Sequence, residues 1–223
     1  AGQYHSAAAT LAGETFTRGE HTRGQLGHGE LRDNVLAPRR VDALRGRRVA
    51  LVACGAAFSY ALADGTLHSW GEWDCIGRLE SDDEEESIDV QGWEPGRVAT
   101  LDRAGYVVAV AAGDSCSFAV TREGALYSWG HGANGHPAED GSTCVFVTLP
   151  TLVSALSHVC IVAVATSSFG PGHTLALTDA GHVYAFGAGD NGVLGLGSEE
   201  TSSTPMRVPL DAGIAVIAIA VGS

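Results

Sequence analysis

A chain of 223 residues, 45% of them hydrophobic, can bury a stable core without disulfides or a structural metal. Acidic residues outnumber basic ones two to one, giving a formal charge of −13 that sets the chain as a whole against nucleic-acid phosphates. The apolar residues are mostly small, and no window approaches the roughly 18 uninterrupted apolar residues of a spanning helix, so no membrane insertion is expected.

Taken in order, the chain repeats itself. The first unit runs from Gly2 through His5-Ser6 and a turn at Ala12-Gly13 to Gly19, followed by the glycine-rich Gly24-Gln25-Leu26-Gly27-His28-Gly29. The second opens with the strand-like Val49 to Cys54, turns at Asp64-Gly65 and closes on Leu67-His68-Ser69-Trp70-Gly71. Alternation places Leu67 and Ser69 on one face of that strand and His68 and Trp70 on the other. The third holds Val107 to Gly113 and two apolar runs, Phe118 to Val120 and Ala125 to Trp129, split by Glu123-Gly124. That is the form of a tight β-hairpin. The fourth runs from Ile161 through His173 to Thr178 and Val183 to Gly187, with the turn Gly192 to Gly197 after it. Val216 to Ser223 reads as the opening strand of a fifth unit.

The glycines that close the hairpins, Gly19, Gly71, Gly130 and Gly187, lie 52, 59 and 57 residues apart. That period is too long for helical solenoids and suits a four-stranded propeller blade. The sequence therefore predicts an all-β propeller segment of about four blades over 1–223. Its repeats fall near 1–48, 49–106, 107–160 and 161–215, with 216–223 opening the next blade. Two readings of that last strand stay open. The array continues, or the strand pairs back onto the first blade; the narrow Ala/Gly blades favour the former.

The succession Val-Ala-x-Gly, His-Thr or His-Ser, Ala-Leu-Thr, Asp-x-Gly, Val-Tyr-x-Trp-Gly and Gly-x-Leu-Gly-x-Gly resembles the regulator of chromosome condensation repeat. His173-Thr174, Ala176-Leu177-Thr178, Gly181, Val183-Tyr184, Gly187, Gly192 and Leu194-Gly195 carry it most fully. Repeats two and three match in their hairpins and depart in the loop that follows. The resemblance covers essentially the whole chain and implies a seven-bladed ring of which this segment is a part. Functionally it implies less. The founding nuclear member exchanges nucleotide on the small GTPase Ran and binds nucleosomes, while other members are light sensors, ubiquitin-ligase modules or scaffolds, and one fold hosts many activities.

No residue pattern announces catalysis or a cofactor. The glycine turns lack the Lys-Ser or Lys-Thr of a phosphate loop, no serine sits in G-x-S-x-G, and His5 and His173 read as structural because Phe58 and Cys116 replace them. His131 and His136, near Glu139, Asp140 and Cys144, have no zinc-type spacing and read as a polar loop. The candidate contacts lie in the irregular loops: Trp73, Trp93 and the acidic Glu84, Glu85 and Glu86 after repeat two, with His131, His136 and Asp140 after repeat three. A basic patch of Arg39, Arg40, Arg45, Arg47 and Arg48 joins repeats one and two. Five scattered cysteines without a C-x-x-C pair predict reduced thiols in a cytoplasmic or nuclear compartment. The resulting expectation is a non-catalytic protein-interaction or scaffold module without cofactor. Exchange on a Ran-like GTPase and chromatin binding through the arginines are its rivals.

Overall fold

The computed structural model describes residues 1–29, 33–78, 92–137, 144–167 and 172–222, and of Trp73 the backbone alone. Its regular structure consists of strands and short 3-10 turns, with no α-helix among the described residues. The first sheet holds β1 (His5–Ala9), β2 (Thr15–Gly19) and β3 (Val35–Arg40). The second holds β4 (Val49–Cys54), β5 (Phe58–Ala63), β6 (Thr66–Gly71) and β7 (Gly96–Arg97). The third holds β8 (Val107–Ala112), β9 (Cys116–Thr121), β10 (Leu126–Gly132) and β11 (Val145–Leu152). The fourth holds β12 (Ile161–Thr166), β13 (His173–Thr178), β14 (Val183–Gly187) and β15 (Ser202–Arg207). Each is an antiparallel meander in chain order, so every sheet is one blade.

Blades stack face to face. One core cluster joins Val41, Leu44 and Trp70 between blades one and two. A second joins Phe58, Tyr60, Leu67 and Trp129 between blades two and three, and a third joins Phe118, Val153 and Phe186 between blades three and four. The predicted alternation in β6 holds, yet all four residues Leu67, His68, Ser69 and Trp70 are buried. Leu67 faces the third blade and Trp70 the first, because a blade inside a stack has no wet face.

Glycine at the turn between blades has a steric cause. Gly27 and Gly77 adopt φ of +74° and +67°. A Cβ there would stand 2.9 Å from Trp70 Nε1 and 2.7 Å from Trp129 Nε1 respectively, so any larger residue would push the indole out of its seat. The loop after repeat three keeps this geometry despite its altered sequence. Ser128 Oγ donates to the Asn134 carbonyl at 2.6 Å and meets His136 Nε2 at 2.9 Å. Thr17 does the same in blade one with the Leu26 carbonyl and His28 Nε2, at 2.8 and 3.2 Å. Asn134-Gly135-His136 is therefore the structural counterpart of Leu26-Gly27-His28.

The Val216 N–H donates to the Gly181 carbonyl at 3.0 Å, as Val49 does to Gly13 and Ile161 to Gly124, so the segment 216–222 enters as an inner strand would. No ladder follows: it pairs neither with β1 nor with any other described strand, and Ile217 is 94% exposed. An isolated strand without a neighbour has no backbone partners to fix it.

Candidate functional site

Strand direction divides the loops between two rims. The C-terminal ends of β2, β6, β10 and β14 lead to the first rim, with the glycine turns and the loops around Trp93, His131 and Cys144. Their N-terminal ends lead to the second, with the hairpin turns at Gly13, Asp64-Gly65, Gly124 and Gly181 and the interblade linkers.

Between the rims, polar side chains sew the blades together. His5 Nε2 meets Ser59 Oγ at 2.7 Å, and Ser59 donates onward to the Gln25 carbonyl at 2.9 Å. Trp70 Nε1 donates to that same carbonyl at 2.9 Å. Blade two has Phe58 in place of the histidine, and Tyr60 takes over: its hydroxyl bonds Ser117 Oγ at 2.8 Å and donates to the Cys75 carbonyl. Trp129 Nε1 completes the group at 2.9 Å from both Cys75 O and Tyr60 Oη. His5, read as structural, thus ties blade one to blade two, and it also hydrogen-bonds the Phe58 backbone there. Burial pushes His5 down to about 4, so the imidazole is neutral at physiological pH.

Tyr60→Phe removes the hydroxyl from this seam, leaving Ser117 Oγ with one partner fewer in a closed site. The expected cost is roughly 1–3 kcal/mol in unfolding free energy. Urea denaturation measures it, and an unchanged midpoint would show that the hydroxyl bridges nothing in solution.

The sequence-derived candidates are dispersed. Trp93 is half-buried against Gly24, and its carbonyl accepts the Gly29 N–H at 3.1 Å, so it clamps the first glycine turn onto blade two. His136 is held by Ser128, and burial lowers its pKa. Both therefore have structural duties at the first rim. His131 is exposed, its ring nitrogens 3.5 and 3.6 Å from Cys144 Sγ, beside a cleft of about 340 Å³ that Asp114, Cys116, Ser167 and Asp190 help to line. Trp73 begins a 3-10 turn. Its side chain, Glu84, Glu85, Glu86 and Asp140 lie outside the described residues. No group of three His, Cys, Asp or Glu side chains that could hold a metal occurs among the described residues.

The arginines sit apart from all of these, at the second rim. Arg40 is tied to Asp42 at 2.9 Å and to Glu14 at 3.3 Å, which raises its pKa, while Arg45, Arg47 and Arg48 are exposed on the linker after it. The first rim carries Glu72, Asp74, Glu94 and Asp114 instead. There burial, reinforced by the charge of Asp74, raises the Glu72 carboxyl. Sequence order alone does not show that these arginines and the carboxylates Glu72, Asp74, Glu94 and Asp114 lie on opposite rims; the strand directions do.

The family model described as the regulator of chromosome condensation (RCC1) repeat matches residues 12–62 and 180–223, and a second model of the same description matches 107–135 and 158–193. The chain belongs to the RCC1 repeat family. Human E3 ubiquitin-protein ligase HERC2 is 36% identical over 232 residues, covering all of this chain and 4% of HERC2. The ultraviolet-B receptor UVR8 of Arabidopsis thaliana is 33% identical over 230 residues, covering all of this chain and 48% of the receptor. Thus the chain spans less than half the length of either relative. Among solved structures, human WBSCR16 superposes with a TM-score of 0.81 at 24% identity, over all of this chain and 54% of that one. Prp20p from Saccharomyces cerevisiae, described with its binding properties to Gsp1p and histones, gives 0.72 at 26% identity, over 95% of this chain and 50% of that one. As an RCC1-type propeller, the chain has loops at two rims and seams of shared residues between them. Among its described residues no helix is long and apolar enough to cross a membrane.

Proposed function

We propose that this RCC1 propeller is a non-catalytic protein-interaction module that presents rim loops to partner proteins. One observation carries the reading: the division of labour among its side chains. Residues at repeating positions, such as Ser59, Trp70, Ser117 and Trp129, are taken up in blade-to-blade bonds, whereas His131, Cys144, Arg45, Arg47 and Arg48 differ between repeats and stand exposed. A rigid frame that varies only at its rims suits recognition. The binding of Gsp1p and histones by Prp20p, a 26% identical relative in fold and sequence, lends support.

Because the family resemblance implies exchange on Ran, nucleotide exchange is the specific rival. Release of a fluorescent guanine nucleotide from a Ran-type GTPase should keep its spontaneous rate when this chain is added, and acceleration of about tenfold or more, an order set by a barrier drop near 1.4 kcal/mol, makes the chain an exchange catalyst instead. Cross-linking of co-purifying proteins should place their contacts on rim loops. Contacts confined to the outer strands β3, β7, β11 and β15 would overturn the rim reading.

A further inference from the structure

We infer that the second rim, where blades one to three meet, docks an acidic segment of a partner protein, its carboxylates on Arg45, Arg47 and Arg48 and one apolar side chain in the adjoining cleft. This assignment deepens the interaction-module reading and rests on it. Two adjacent hollows define the surface. The larger, about 540 Å³, is walled by Leu11, Leu62, Tyr106 and Val108, and the smaller, about 260 Å³, by Arg40, Leu44, Arg45 and Arg47. Arg48 lines both, so the two adjoin.

The apolar wall exists for a structural reason. Strands β4 and β8 slip register after their first residue, between Val49 and Leu51 and between Val107 and Ala109. The residue at the slip leaves the ladder and turns outward, as a bulge requires, which leaves Val108 42% exposed. Leu11, at the tip of the first hairpin, is fully exposed, and Tyr106 is 43% exposed. The Tyr106 ring rests on Gly65, and the Arg122 guanidinium stands 4.1 Å from its centroid, adding a further cation.

Charge completes the match. Glu14 is occupied by Arg40, and Asp64 is the remaining carboxylate on the two walls, whereas Arg45, Arg47 and Arg48 make no ion pair among the described residues. Three guanidinium groups within four residues offer forked donors to carboxylates, and the exposed Leu11, Tyr106 and Val108 beside them reward an apolar side chain that a bare polyanion lacks. The combination favours an acidic peptide with a hydrophobic anchor over a nucleic-acid backbone.

The test is fluorescence anisotropy on the full chain, using a labelled peptide of alternating Glu and Leu ending in Phe, with an all-Glu peptide and duplex DNA as competitors. The Glu/Leu peptide should bind in low salt, weaken as salt rises and resist displacement by either competitor. Combined Arg45→Ala, Arg47→Ala and Arg48→Ala should weaken it by about tenfold or more. Leu11→Ser with Val108→Ser, both at exposed positions, should weaken it severalfold while keeping its salt dependence. Binding unchanged in either variant, or DNA as the better ligand, overturns the assignment. If the peptide fails while cellular partners still cross-link to the first rim, this inference falls and the module reading stands; if both fail, both fall.

Discussion

Trp129→Ala is expected to lower the unfolding free energy by about 3–5 kcal/mol, the range for emptying a closed aromatic site. The indole is fully buried among Phe58, Tyr60 and Leu67, so its removal exposes a cavity at the seam between blades two and three. It also strips the Cys75 carbonyl and Tyr60 Oη of a donor, and it uncovers Gly77. These losses coincide because one side chain fills the gap, satisfies the carbonyl and covers the turn. Trp129→Phe separates them. Phenylalanine keeps much of the packing, as Phe186 does at the equivalent position against Phe118, but cannot donate. Its cost should fall to roughly 1–2 kcal/mol, the value of the hydrogen bonds with some lost contact. Urea titrations with both variants read the difference. Equal losses in the two would mean that the N–H carries most of the energy, and a loss under about 1 kcal/mol for alanine would mean that the seam is not part of the cooperative core.

Acidification is the second large effect. An unfolded histidine takes up its proton near 6.5, while His5 in the fold resists until about 4. Between those values the unfolded chain binds more protons than the folded one, so stability falls as pH drops through that window and is fully present above it. The gap is worth about 3 kcal/mol at most, by the usual conversion of a pKa difference into free energy. His68, His136 and His173 are also lowered by burial, with the charge of Arg47 next in importance for His68, and they act in the same direction. Glu72, raised by burial and by Asp74, acts oppositely and offsets part of the slope. His5→Gln retains a polar side chain but no titration near neutrality. Its melting temperature should therefore vary less between pH 7 and 4 than the parent's, and an identical slope would remove His5 as the source.

These expectations show how unevenly the molecule can be read from its residues. The hairpins were legible because glycine at Gly65 and Gly124 and the flanking apolar alternation are local signals. The turn after repeat three was not, since Asn134-Gly135-His136 shares only its glycine and histidine with Leu26-Gly27-His28. Its identity lies in a hydroxyl two residues before the strand's closing glycine, Thr17 in one case and Ser128 in the other. His136 and Trp93, read as contacts because they lie in irregular loops, also fasten turns within the propeller. No local pattern distinguishes an aromatic that clamps a turn from one that greets a partner.

The sequence by itself determined the repeat, its blade-length period and hence the all-β propeller, because those follow from turn stereochemistry and side-chain alternation within a few residues. Tertiary structure alone decided which buried polar groups find each other across blades, with Tyr60 standing in where His5 has no counterpart. It also decided that the arginines and the first-rim carboxylates lie at opposite ends of the strands. Both are distances between residues far apart in sequence, set by how sheets stack, and no short-range signal encodes them.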